Sequence, residues 1–145
     1  MAGFEFRETM TGTWHRLDAP LDERPIQFTV RAQVDGLRRF LWRRTSEITG
    51  EIDAQGLADH RALRGTMEID PLLGRRIVYD FTFSDNEGKE HRFHGEKEIE
   101  HARFVKTMTT LPASLFVGER EVGRAVLRFH LREDLLKMIR SFKRR

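Results

Sequence analysis

Hydrophobic and polar residues alternate along most of this chain, in eight separate segments. The clearest begins Ile77-x-Tyr79-x-Phe81-x-Phe83, passes through the polar loop Asp85-Asn86-Glu87-Gly88-Lys89, and resumes as His91-x-Phe93-x-Gly95-x-Lys97-x-Ile99. Two strictly alternating runs joined by a short polar loop containing glycine predict a β-hairpin. Setting Ser84 opposite Glu90 pairs Phe83 with His91, Phe81 with Phe93, Tyr79 with Gly95 and Ile77 with Lys97. All of these share one face, because strand side chains repeat every second residue. A ring over a cross-strand glycine covers bare backbone, so Tyr79 and Gly95 make a sensible pair. Arg92, His94, Glu96, Glu98 and Glu100 fall on the opposite, solvated face. Lys97 is the one charge in the aromatic row. It either extends to water from the strand end or faces a ligand.

The same pattern organises the remaining chain. Phe4, Phe6, Glu8, Met10, Gly12 and Trp14 form the apolar row of a long first strand, with Glu8 its only charge. A loop with Pro20 and Pro25 follows. Ile26, Phe28, Val30, Ala32 and Val34 mark a second strand. Asp35 is a good helix N-cap, and Leu37, Phe40 and Leu41 predict a short helix over 37–44. Ile48, Gly50 and Ile52 mark the third strand, and Leu63, Gly65, Met67 and Ile69 the fourth. A turn over 70–74 leads into the hairpin. Val105, Thr107, Thr109 and Leu111 mark a seventh strand that Pro112 interrupts or bends, and residues 122–131 an eighth. Leu135, Leu136, Met138, Ile139 and Phe142 close the chain as an amphipathic helix. Eight sequential strands with short connections predict an all-β fold, an antiparallel up-and-down barrel in a single domain over 1–145. Its inward glycines (Gly12, Gly50, Gly65, Gly95) either bend strands or leave room for a guest.

Composition supports a globular chain: 39% of the 145 residues are hydrophobic and 34% charged. No apolar run is long enough to span a bilayer, and the first residues lack a secretory layout, so a soluble cytoplasmic domain is expected. With no cysteine there is neither a disulfide framework nor a thiolate zinc site. The net charge of +3 is localised. Residues 132–145 carry six basic side chains against Glu133 and Asp134, which leaves the rest of the chain at −1. That distribution argues against a nucleic-acid footprint. Packing of the last helix on the barrel is favoured over docking to anionic lipid through Arg140, Lys143, Arg144 and Arg145.

Two resemblances add to this picture. Thr11-Gly12-Thr13-Trp14 resembles the Gly-x-Trp signature of lipocalins and related calycin barrels, where the tryptophan closes one end of the barrel. In that family a late arginine packs on the tryptophan, and Arg128 and Arg132 are both candidates. Gly65-Thr66-Met67, Arg76-x-x-Tyr79-x-Phe81-x-Phe83, Gly88, Phe93-x-Gly95-x-Lys97-x-Ile99 and Thr109-Thr110-Leu111 are similar to a bacterial β-barrel module. That module accompanies cholesterol-oxidase-type (GMC) flavoprotein oxidoreductases and lipid-active hydrolases. The similarity spans about residues 62–112. It implies an accessory, lipid-related context rather than catalysis. No Gly-x-Gly-x-x-Gly fingerprint is present, so no dinucleotide cofactor follows from the residues.

Catalytic signatures are missing as well: no Gly-x-Ser-x-Gly elbow, phosphate-binding glycine loop or His-Glu-x-x-His motif occurs. His94, Glu96 and Glu98 share a strand face and read as solvated polarity rather than a metal site. Glu8, Tyr79 and Lys97 are the polar residues on inward rows. They are suited to orienting a ligand's polar group and, less directly, to acid–base work. The sequence therefore predicts a non-enzymatic, lipocalin-like barrel without cofactor or metal, binding a small apolar molecule such as a lipid or sterol-like compound. Phe6, Trp14, Met67, Phe81 and Phe93 would supply its walls, and Glu8, Tyr79 and Lys97 its orientation. The alternatives are a filled barrel docking on an oxidoreductase or hydrolase, an enzyme using Glu8, Tyr79 and Lys97, and a homodimer built on one sheet face.

Overall fold

The computed structural model of the chain describes residues 4–34, 45–70, 76–98 and 110–129. They form β1 (Phe4–Arg16), β2 (Arg24–Val34), β3 (Thr45–Ala54), β4 (Ala58–Asp70), β5 (Arg76–Ser84), β6 (Glu90–Glu98), β7 (Thr110–Val117) and β8 (Arg120–Phe129). Every strand pairs antiparallel with its sequence neighbours, and β1 pairs with β8 to close the barrel. Closure leaves no free sheet edge, which suits a chain whose strands all carry one apolar row. The two expected helices, over 37–44 and after residue 132, lie outside the described residues.

The hairpin has the predicted register: Ser84 faces Glu90, Phe83 faces His91, Phe81 faces Phe93, Tyr79 faces Gly95 and Ile77 faces Lys97. Its loop explains why. Asp85 accepts the backbone N–H groups of Glu87 (2.9 Å) and Lys89 (2.8 Å), while Gly88 takes the positive φ that the turn requires. β7 runs through Pro112, the residue expected to interrupt or bend it, to Val117. The β6–β7 ladder ends at Gly95–Ala113, so Pro112 stands where only β8 is paired, a place that tolerates a missing N–H.

Three inward glycines bend the wall. A Cβ on Gly12, Gly50 or Gly65 would lie 1.9, 1.8 or 2.1 Å from a carbonyl oxygen of the neighbouring strand (Val126, Thr29 and Asp80). Only a bare Cα allows that approach. At Gly95 the space is taken by the Leu111 side chain, 3.0–3.2 Å from where a Cβ would be. None of the four leaves a void beside it.

The core is one cluster running the length of the barrel. At its centre Phe81 and Phe93 stack with ring centroids 4.5 Å apart, and Phe28 reaches across from β2 to meet both edge-on, at 5.3 and 5.4 Å. These three rings are at most 1% exposed. Side chains lining a water-sized void would show surface to it, so this level of the barrel is solid. Outward positions carry Arg31–Glu51 and a cluster on β5 and β6, not the apolar band of a lipid-facing barrel. In that cluster Asp80 pairs with Arg92 and His94, and Glu96 with Arg76 and His94. The Arg92 guanidinium, helped by His94, holds the Asp80 carboxyl below its ordinary range.

Candidate functional site

The aromatic layer separates two ends of different construction. At one, four connections turn the chain back between β1 and β2, β3 and β4, β5 and β6, and β7 and β8. At the other, the far end, the joining segments 35–44, 71–75 and 99–109 all lie outside the described residues.

The inward polar residues of the strands favour the far end. Glu8 lies toward the start of β1, opposite Val30, and is 6% exposed. Ser46 is the second residue of β3 and is buried. Its cross-strand partner Met67 is itself opposite Tyr79, so Ser46, Met67, Tyr79 and Gly95 follow one another along a single paired row across four strands. Lys97, half-buried, stands one inward position further out, facing Ile77. Tyr79 and Lys97 are thus diagonal neighbours on one wall. Because β1 and β5 are diametrically placed in an eight-stranded barrel, Glu8 belongs to the opposite wall. Tyr79 also joins the central layer, its ring edge-on to Phe28 at 5.7 Å.

The expected apolar lining divides between levels. Met67 belongs with Tyr79, whereas Phe81 and Phe93 are the packed floor beneath. Trp14 lies near the turn end of β1, opposite Arg24 and Ala125, away from Lys97. For Phe6 only the register is described, opposite Ala32; its side chain lies outside the described residues. The arginine over Trp14 is Arg16, its guanidinium carbon 5.3 Å from the ring centroid. Arg128 is exposed and pairs in register with Thr11, and Arg132 lies outside the described residues. Two positions apart on one strand puts Arg16 on the same face as Trp14.

The turn end holds groups that have no part in the expected site. His91 is 4% exposed and stacks on Phe83, ring centroids 5.5 Å apart. Its Nδ1 lies 3.2 Å from the Lys89 carbonyl, to which it donates, and 3.7 Å from Asp85 Oδ2. Hydrogen bonds from the Lys89 and Glu87 backbone hold the Asp85 carboxyl below its ordinary range, with His91 contributing. Leu57 plugs the end, tied in by the Asn86 N–H on its carbonyl (3.0 Å). Alternation alone puts His91 inside. That Asp85 would stand beside its ring follows only from the folded loop.

No protein-family model and no curated protein matches the chain. Among solved structures, a redesigned β-barrel superposes with a TM-score of 0.48 at 10% identity, covering 83% of this chain and 88% of its own. The chain is an eight-stranded antiparallel β-barrel. Among the described residues no helix is long and apolar enough to cross a membrane, and no group of three His, Asp or Glu has a metal-holding arrangement.

Proposed function

We propose that this barrel is a non-enzymatic binding module for a small, mostly apolar molecule, lipid- or sterol-like, held at the far end. The observation carrying this is the gathering of Glu8, Ser46, Tyr79 and Lys97 on the far halves of their strands, above a solid aromatic floor. An apolar site with a few convergent polar groups is the usual form of a small-molecule pocket. Ile77 supplies apolar contact above the buried Met67, and Tyr79 and Lys97 orient a carboxylate, carbonyl or hydroxyl. The similarity of residues 62–112 to the module that accompanies GMC oxidoreductases and lipid-active hydrolases supports a supporting role beside such an enzyme. The test is native mass spectrometry of protein purified from its host, followed by titration with a fluorescent long-chain fatty acid. A stoichiometric adduct and saturable binding that weakens in Tyr79→Phe and Lys97→Met are expected. Absence of both overturns the proposal.

A second reading, a filled barrel docking onto a partner enzyme, draws support from the solid central layer. It also fits an outer depression of about 450 Å³ beside Pro112 and the 48%-exposed Val126. Val126→Glu would then abolish co-purification with an oxidoreductase or hydrolase while leaving fatty-acid titrations flat in both proteins.

A further inference from the structure

We propose that the turn end carries a second binding site, for a neutral polyhydroxylated molecule of the sugar or polyol type, whose hydroxyls donate to His91 and Asp85. It does not depend on the far end, from which the aromatic layer separates it. A cavity of about 400 Å³ opens there, bounded by Arg16, Asp85, Glu87, Lys89, His91 and Arg120. Two of these are deeply buried, Asp85 at 7% exposure and His91 at 4%. Each presents one acceptor to which no described residue donates. The His91 Nδ1 lies 3.2 Å from the Lys89 carbonyl, which can only accept, so the neutral ring carries its proton on Nδ1 and a lone pair on Nε2. Asp85 takes both loop N–H groups, of Glu87 and Lys89, on Oδ1. Its Oδ2 is left over, with His91 Nδ1 at 3.7 Å, beyond hydrogen-bond reach. Acceptors on side chains so deeply buried are normally paired, and two of them lining one cavity call for a guest that donates twice.

The charges around the two acceptors disfavour a charged guest. An ammonium would suit Nε2 and Oδ2 but would sit among Arg16, Lys89 and Arg120. An oxyanion would suit those three but would turn its own lone pairs toward Nε2, Asp85 and Glu87. A hydroxyl donates one hydrogen bond and accepts up to two, so a single polyol serves the acceptors of the floor and the donors of the rim together. Arg16 is steadied as a rim donor by its stacking on Trp14 and its contact with the Gly56 carbonyl (3.4 Å). The half-buried Val117 and Val122 offer apolar contact to the C–H groups of the same guest.

The test is a titration of the whole protein with D-glucose and, separately, myo-inositol, read on the His91 ring nitrogens by NMR and on heat by calorimetry. It is run at about pH 8, above the ordinary histidine range. A saturable shift at Nε2 with at least one of the two is expected, and none with inorganic phosphate or ethylammonium. Asp85→Asn keeps an amide oxygen for the loop and puts a donor in place of Oδ2, so it should raise the dissociation constant about tenfold. His91→Phe retains a ring to stack on Phe83 and removes Nε2, while the Lys89 carbonyl keeps the Asp85 N–H (2.8 Å). Its binding heat should vanish. An Nε2 signal flat with both compounds would mean that the cavity holds water only, and overturns the proposal. So does a shift driven by phosphate or ethylammonium, or a binding heat that survives both substitutions. If His91→Phe unfolds, Asp85→Asn still decides the matter.

Discussion

The far end and the turn end of this barrel are built from the same strands yet organise polarity in different ways. At the far end the polar groups project inward from the strands themselves, one each from β1, β3, β5 and β6, and no single loop fixes them. At the turn end the buried polar groups are Asp85, which caps the backbone of its own loop, and His91, the second residue of β6, which stands beside it. Between them the stacked pair Phe81–Phe93, crossed by Phe28, joins β2, β5 and β6 and carries no polar atom. Strand register alone assembles the far end, whereas turn chemistry assembles the other. Accordingly, substitutions in the layer should affect the whole molecule, while substitutions at either end should remain local.

The largest effect is expected from the divider. Phe28→Ala removes the ring that touches Tyr79, Phe81 and Phe93, and should cost about 3–5 kcal/mol in urea unfolding. A loss below about 1 kcal/mol would mean the two halves are not joined there. Next comes the wall. Gly12→Ala puts a methyl against the Val126 carbonyl and should cost about 3 kcal/mol, measured the same way, because backbone rather than side chain must move.

Acid should act on both the outer wall and the turn end. The Asp80 and Asp85 carboxyls have folded pKa values below their unfolded ones. The stability they add is complete above the ordinary aspartate range, about pH 4, and is lost as pH falls through the lowered values. Denaturation midpoints should therefore decline below about pH 4. Asp80→Asn and Asp85→Asn should each flatten that decline; equal slopes in wild type and both variants would contradict the assignment. The smallest stability change is expected at Lys97. Lys97→Met should move the unfolding midpoint by less than about 0.5 kcal/mol while weakening fatty-acid binding severalfold. An equal loss of both would make Lys97 a structural residue.

Much of this was legible in the chain. The hairpin register followed from the Asp85–Lys89 loop, since loop length fixes pairing and pairing fixes the face of every later side chain. The sequence could not show whether Gly12, Gly50 and Gly65 bend the wall or leave space, because that depends on how closely the next strand approaches. It pointed to late arginines over Trp14, whereas Arg16 does the stacking, two residues along the same face. Pro112 read as an interruption or a bend, and β7 runs through it where β6 no longer pairs. Trp14 and Tyr79 read alike as inward aromatics, and only the closed barrel assigns them to opposite ends. The role of His91 depends on contacts made across the loop, which alternation does not encode.

On this reading the Phe28–Phe81–Phe93 layer divides the interior into two independent halves. An NMR titration of the whole protein with fatty acid, read on the Tyr79 and His91 rings, decides it. The expected result is that Tyr79 shifts and His91 stays unmoved. Both rings moving together would show one continuous interior, and would contradict the division.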